Sequence, residues 1–345
     1  MAGRLIFKGG PTFEGKNFGA TVSSAGELVF STGMMGYPES LTDPSYKGQI
    51  LILTYPLVGN YGVPEKYFWE SDTIMVSGLI VSNYIDTPSH YQSRKTLSEW
   101  FLEEGKPILE IKDTRLLTQM IRDKGSVLAK ILIDKDIDFY DPNKESLIEK
   151  VSVDKPNVMG KGKKKILLID CGAKRNIRKS LVGKGVTITT IPWNLDPFKE
   201  GFNFDGIVIS NGPGDPKFAG KTVQIIKKAL SKKVPMLGVC LGHQLLALAA
   251  GGDTKKLKYG HRSQNQPCIM EGSNRCFITT QNHGFYVSHV PQGFSPWFTN
   301  ANDGTNEGII HKSLPIMSVQ FHPEAMPGPT DAGFIFDYFL DRIKK

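Results

Sequence analysis

Three short stretches of the chain set reactive or polar residues beside glycine or proline. The first is G-V-C-L-G, Gly238 to Gly242, where Cys240 sits between two glycines as an apolar strand gives way to an apolar helix. A sharp strand-to-helix turn projects one side chain, and small neighbours permit its strained backbone. The helix beginning beside Cys240 offers free N–H groups and a positive dipole end, both of which favour a thiolate nucleophile. A packed core cysteine before an ordinary turn is the competing reading.

The second stretch is V-Q-F-H-P-E, in which His322 follows the apolar run IMSVQF and Glu324 comes two residues later. A cysteine nucleophile needs a base to take its proton and an acid to protonate the leaving nitrogen, and imidazole does both near neutral pH. Glu324, across the stiff Pro323, can accept the other ring N–H and hold the tautomer. A lone histidine is more often structural; the company of Cys240 and Glu324 reverses that. The third stretch is S-N-G-P-G-D-P, Ser210 to Pro216, after GIVIS. Its glycines let backbone approach a ligand and present N–H groups to a developing oxyanion. A plain tight turn is the alternative, and a nucleotide loop fails for want of G-x-x-x-x-G-K-[ST].

The elements that must position these residues are legible as alternation. KKILLID, VTITTIPW, FDGIVIS and VPMLGVC read as strands, and KRNIRKSLVGKG, KTVQIIKKALSKK and LGHQLLALAAGG as helices. That pattern predicts a doubly wound, mostly parallel sheet of the α/β class, whose sites gather at the carboxyl ends of strands. CFITTQNHGF and IMSVQFHPE add strands, and GFIFDYFLDRIKK a closing helix. Residues 1–150 mix short β-type runs (GELVFST, ILILTY, TIMVSGLIVSNYI) with one clear helix, TRLLTQMIRDKG, and read as a smaller β-rich α+β domain. The proline, glycine and lysine of 151–164 mark a linker, and 165–345 the second domain.

Length and composition agree with two globular domains: 345 residues, 40% hydrophobic and 22% charged. The net charge of +8 raises nucleic acid as a partner. The densest lysine run, GKGKKK, lies in the expected linker without interleaved aromatics, so no nucleic acid is expected. MAGRLIFKGG lacks the apolar run of a secretory signal, and no segment approaches the roughly 18 apolar residues that cross a bilayer. The expectation is a soluble cytoplasmic protein with no membrane partner. Four cysteines without a CxxC pair argue against a disulfide framework or zinc. Cys171, Cys268 and Cys276 lack a glycine-flanked turn and are expected to pack, with His283 and His311 structural or peripheral.

Together G-V-C-L-G-H-Q, F-H-P-E and N-G-P-G-D-P resemble the class I glutamine amidotransferases, of flavodoxin-like fold, which release ammonia from the side-chain amide of glutamine. The resemblance implies Cys240 as nucleophile, His322 as acid/base and Glu324 as its orienter. Thr32 to Ile50 (T-G-M-M-G-Y-P-E-S-L-T-D-P-S-Y-K-G-Q-I) and Leu53 to Gly62 (L-T-Y-P-L-V-G-N-Y-G) are similar to the N-terminal domain of the carbamoyl phosphate synthetase small subunit. N-Q-P-C…Q-N-H-G-F and F-T-N-A-N-D-G-T-N-E-G-I look closer to the glutaminase region of the eukaryotic multifunctional pyrimidine enzyme than to bacterial subunits. The resemblance implies glutamine contacts at Ser45, Gly212, Gly214, Leu241, Gln244, Asn282, Gly284 and Phe285. Gly212 and Leu241 N–H groups are then the oxyanion donors, and Ser45 places the site at the domain interface. In the ammonia-dependent urea-cycle member of the family serine replaces the nucleophile, whereas Cys240 is retained here.

The function implied is hydrolysis of L-glutamine to glutamate and ammonia, with ammonia passed to a large synthetase subunit or fused synthetase domain. That partner would use bicarbonate, ATP and Mg, with no cofactor or metal in this chain. Pyrimidine and arginine pathways both remain open. A stand-alone cysteine hydrolase of γ-glutamyl substrates is the alternative, and the first domain argues against it. A non-catalytic scaffold is a third, which the intact Cys-His-Glu set argues against.

Overall fold

The computed structural model describes residues 1–343, and the chain divides into two units, Met1–Lys144 and the remainder from Glu145 onward. The first unit is a closed barrel of β1 (Ala2–Phe7), β2 (Thr12–Asn17), β3 (Ser24–Ser31), β4 (Gln49–Leu53), β5 (Gly78–Val81), β6 (Ile108–Glu110) and β7 (Val127–Leu132). Their order around the barrel is β1-β2-β6-β5-β4-β3-β7. Strands β3 to β6 run parallel in sequence order, and the others pair antiparallel. The apolar runs QILIL and GLIV are β4 and β5, almost wholly buried.

Three helices accompany the barrel: α1 (Tyr37–Leu41), α2 (Leu97–Glu103) and α3 (Thr114–Lys124). A reciprocal cap starts α2, with Thr96 Oγ1 accepting from Glu99 N and Glu99 accepting from Thr96 N. Asp113 caps α3, and Gly125, at φ 94°, ends it. Strands β3, β4 and β5 and helix α3 follow the apolar runs of the sequence, whereas the barrel does not show there, because β1, β2 and β7 carry mixed polar and apolar residues. Ser45 is buried in a short 3-10 turn, Pro44–Tyr46, where Asp43 Oδ1 accepts its backbone N–H at 2.9 Å.

In the second unit the parallel core comprises β9 (Lys164–Asp170), β10 (Val186–Pro192), β11 (Gly206–Ile209), β12 (Met236–Val239) and β17 (Ile316–Val319). It is flanked by β8 (Asn157–Met159) on one side and by β13 (Asp253–Met270), β14 (Cys276–His289), β15 (Phe294–Asn300) and β16 (Asn306–His311) on the other. The order is β14-β13-β15-β16-β17-β12-β11-β9-β10-β8. Alternate residues of β9 feed opposite cores. Ile166 and Leu168 pack with α4 (Arg175–Gly183) and α7 (Phe334–Arg342). Leu167 and Ile169 pack with α5 (Gly220–Ser231) and α6 (Leu241–Ala249). Helices thus cover both faces, as the apolar strand runs require.

Two differences from the sequence reading stand out. The segment expected as a linker, 151–164, is knitted into the second unit: β8 pairs with β10, Trp193 N donates to Ser152 Oγ at 3.1 Å, and Val153 N donates to Asp170 Oδ2 at 3.0 Å. The parallel sheet is also extended by a long antiparallel hairpin, β13–β14, whose register shifts break the period-2 alternation that would reveal it. The closing helix appears as α7, and its last expected residues, Lys344 and Lys345, lie outside the described residues. No helix among the described residues is long and apolar enough to cross a membrane.

Phe339 of α7 is fully buried in the core on the α4 side of the sheet. Phe339→Ala should destabilise the second unit by about 3–5 kcal/mol in urea unfolding; a loss under about 1 kcal/mol would mean that α7 does not close that face.

Candidate active site at the strand ends

Parallel strands deliver loops to one edge of the sheet, and four of those loops carry the site. Cys240 follows β12 and caps α6 with φ 53° and ψ −103°, a backbone that a residue with a Cβ adopts only under constraint. The neighbouring glycines supply the constraint. A Cβ on Gly238 would lie 2.5 Å from the Gly242 carbonyl oxygen, and one on Gly242 would lie 2.2 Å from the Ile209 carbonyl oxygen at the end of β11. The turn is therefore squeezed against the adjacent strand, and only glycines fit. Cys240 is 2% exposed; its sulfur accepts from Gln320 Nε2 at 3.6 Å and faces the Asn282 carbonyl oxygen at 3.7 Å.

His322 and Glu324 leave the end of β17, next to β12. His322 Nδ1 lies 2.6 Å from Glu324 Oε1, and Nε2 has no hydrogen-bond partner among the described residues. The carboxylate side is occupied by its acceptor, so Nδ1 carries a proton and Nε2 is left for chemistry. Burial pushes the His322 pKa down, but the Glu324 carboxylate and the nearby Cys240 sulfur outweigh it and raise it to about 10.

Lys174, just before α4, stands behind the pair. Its Nζ lies 3.1 Å from Glu324 Oε1 and donates to the Ala325 carbonyl at 2.6 Å. Both charges are buried. Burial pushes the Glu324 pKa up, yet Lys174 and His322 together hold it down to about 2. Asn176 donates to the Glu324 carbonyl, and Lys174 N donates to Asn211 Oδ1 at 3.0 Å.

Asn211 opens the loop after β11. Ser210 Oγ accepts from Cys171 N at 2.9 Å and donates to the Asn211 carbonyl at 2.8 Å, which anchors the start of that loop. A Cβ on Gly212 would meet the Cys171 carbonyl oxygen at 2.1 Å and Leu241 Cδ2 at 2.9 Å. Gly212 thus lies against Leu241, whose N–H is in the first turn of α6 and lacks an intrahelical acceptor. Gly214 takes φ 85°, with the Leu147 side chain 3.6 Å from where a Cβ would be.

The hairpin strand β14 supplies a wall. Gln244, in the first turn of α6, donates from Nε2 to the Phe285 carbonyl at 2.8 Å and to Gln320 Oε1 at 3.0 Å. His322 N donates to the Thr280 carbonyl at 2.9 Å. Contacts therefore join Cys240, Gln244, Asn282, Phe285 and His322, with Gly284 on the same strand between Asn282 and Phe285. Ser45 belongs to the first unit.

Lys174 and Gln320 were missed. Gln320, His322 and Glu324 are spaced by two, which in an extended segment puts them on one face, and Lys174 follows a parallel strand end; both signals were present. Cys171 and Cys268 are buried, as expected, and burial pushes both thiols up. Cys276 is exposed at the start of β14, not packed, because strand alternation turns Phe277 into the core and Cys276 to the opposite, solvent face. His311 is peripheral, its Nδ1 accepting from Ser313 and Leu314 N–H groups.

Two family descriptions match the chain: "Carbamoyl-phosphate synthase small chain, CPSase domain" over residues 5–131 and "Glutamine amidotransferase class-I" over residues 167–342. "Multifunctional protein CAD" of Squalus acanthias is 48% identical over 98% of this chain, which spans 16% of that protein. "Multifunctional protein URA2" of Saccharomyces cerevisiae is 44% identical over 99% of the chain, which spans 17% of it. "Carbamoyl phosphate synthase arginine-specific small chain" of Neosartorya fischeri is 45% identical over 99% of the chain and is spanned to 80%.

The buried charges set a pH dependence. Glu324, lowered to about 2, contributes stability that is full above its ordinary 4.5 and lost as pH falls through about 2. His322, raised to about 10, contributes stability that is full below its ordinary 6.5 and lost as pH rises through about 10. Urea midpoints of Lys174→Met should show a loss of about 3–5 kcal/mol at neutral pH, with the acid limb moved to higher pH. An unmoved acid limb would mean that Lys174 does not hold Glu324 ionised.

Proposed function

Because the chain belongs to the carbamoyl-phosphate synthase small-chain family, with a class I glutamine amidotransferase region as its second half, we propose that it hydrolyses L-glutamine at Cys240 and hands ammonia to a synthetase partner. The observation that carries this reading is the buried line Cys240, His322, Glu324, with a free Nε2 on the cysteine side and a 2.6 Å contact on the carboxylate side. With the thiol proton on His322, the Cys240 sulfur attacks the side-chain amide carbon. The carbonyl oxygen takes the charge and rests on the Gly212 and Leu241 N–H groups. His322 gives its proton to the amide nitrogen, the C–N bond breaks, and ammonia leaves a γ-glutamyl thioester. Water then loses a proton to His322 and attacks the thioester; glutamate departs as the thiol is restored.

Gln244, Asn282, Gly284 and Phe285 are the proposed walls for glutamine, with Gly214 shaping the loop beside Gly212; Ser45 is a proposed contact on the resemblance alone. Gln320, bonded to both Cys240 and Gln244, positions the sulfur. The partner is a large synthetase subunit or a fused synthetase domain, where ATP, Mg and bicarbonate are used. The relatives bearing pyrimidine-type multifunctional names and the arginine-specific one are nearly equally similar, so either pathway could take the product. Free buried thiols at Cys171 and Cys268 support a reducing compartment, the cytoplasm.

In the chain assembled with its synthetase, Cys240→Ser should lower glutamine-dependent carbamoyl phosphate synthesis on the order of 1,000-fold or more and leave ammonia-dependent synthesis intact. Retained glutamine-dependent turnover would sink the assignment.

A further inference from the structure

A second group of chemistry-bearing side chains lies in the antiparallel half of the sheet, outside the triad. His261 on β13, His283 on β14 and Glu307 on β16 are buried, and one ligand-capable atom of each lies within 4.8 Å of the others. Glu307 Oε1 is 3.4 Å from His261 Nδ1 and 3.9 Å from His283 Nε2.

The outer hydrogen bonds decide what the inner atoms are. His261 Nε2 lies 2.8 Å from Asp303 Oδ2 and Nδ1 3.4 Å from Glu307 Oε1, so a neutral ring carries its proton on the shorter contact and turns the Nδ1 lone pair inward. His283 Nδ1 lies 2.8 Å from the Phe285 carbonyl oxygen, the shorter of the ring's two acceptor contacts, so a neutral ring carries its proton there and Nε2 turns its lone pair inward. That Nε2 also faces Gln281 Oε1 at 3.1 Å, because the Gln281 amide nitrogen is turned toward Cys268 Sγ and Thr279 Oγ1. Asn300 Nδ2 donates to Glu307 Oε1 at 3.2 Å, while Glu307 Oε2 and His261 Nδ1 make no hydrogen bond among the described residues. Electron-pair donors thus converge in a buried space, an arrangement that is costly unless something positive lies among them.

We propose that His261 Nδ1, His283 Nε2 and Glu307 hold one divalent ion of the zinc class. Two imidazoles and a carboxylate are a ligand set that suits zinc. Zinc bonds of about 2.0–2.2 Å at tetrahedral angles set ligand atoms roughly 3.3 Å apart, so the two contacts to Glu307, 3.4 and 3.9 Å, need little closure, while the two imidazole nitrogens, within 4.8 Å of each other, would draw together on the ion. Both rings already donate their outer N–H to a carboxylate or a backbone carbonyl, the arrangement that orients metal-bound histidines. The Gln281 oxygen or a water completes the fourth position. Such an ion ties β13, β14 and β16 together beside Asn282 and Phe285.

A proton on His261 Nδ1, donated to Glu307, is the rival occupant. The test strips the chain with a chelator, then titrates Co2+ by visible absorption and Zn2+ by competition. One equivalent with the intense bands of four-coordinate Co2+ is expected, lost in His261→Asn. Asp303→Asn, at a partly exposed position outside the ligand set, should weaken binding about 10–100-fold and keeps the test decisive should His261→Asn fail to fold. A folded chain without such bands, bands that survive His261→Asn, or an Asp303→Asn affinity equal to the parent's would each overturn the proposal.

Discussion

The site depends on one backbone constraint. Cys240 occupies a positive-φ conformation, φ 53° and ψ −103°, between β12 and α6, a sparsely populated state that costs about 1–3 kcal/mol for a residue with a side chain and persists only because its surroundings leave no other path. Gly238 packs on Gly242, and Gly242 packs on the Ile209 carbonyl at the end of the next strand, so the parallel pairing of β11 and β12 itself dictates the turn. The same pairing order puts β17 on the other side of β12, which brings His322 to the sulfur. Change the strand order and Cys240, His322 and the Gly212 loop would part.

A second layer of control is electrostatic. Glu324 is buried, where a carboxylate would ordinarily become protonated, and Lys174 keeps it ionised. The ionised carboxylate keeps the imidazole charged and fixes which nitrogen faces the cysteine. A buried charge of this kind contributes little to stability by itself; here it sets the protonation state of His322, the group proposed to deliver a proton to the leaving nitrogen. Lys174 also ties this charge line to the Gly212 loop through Asn211 and to the Ala325 turn through its ammonium.

Much of this was legible in the sequence where local rules and global fold agree. Apolar four- to seven-residue runs between amphipathic helices gave the parallel core, and strand-end position marked Cys240, Gly212 and His322. Features that depend on distant pairing were not legible. The barrel closes through strands such as Thr12–Asn17 that carry no apolar pattern of their own, the 157–159 edge strand is too short to show a period, and register shifts hide the 253–289 hairpin. Lys174 and Gln320 illustrate a different gap: strand-end position and spacing hint at each, but their burial against Glu324 and Cys240 is what shows what they do.

In the proposed reaction Cys240 forms a covalent bond to the acyl group of glutamine. Acid-quenching the chain during turnover and mapping modified peptides by mass spectrometry tests it directly. A γ-glutamyl thioester is expected on the peptide that contains Cys240, absent from Cys240→Ser. A γ-glutamyl adduct on any other side chain, or one that persists in Cys240→Ser, would contradict it.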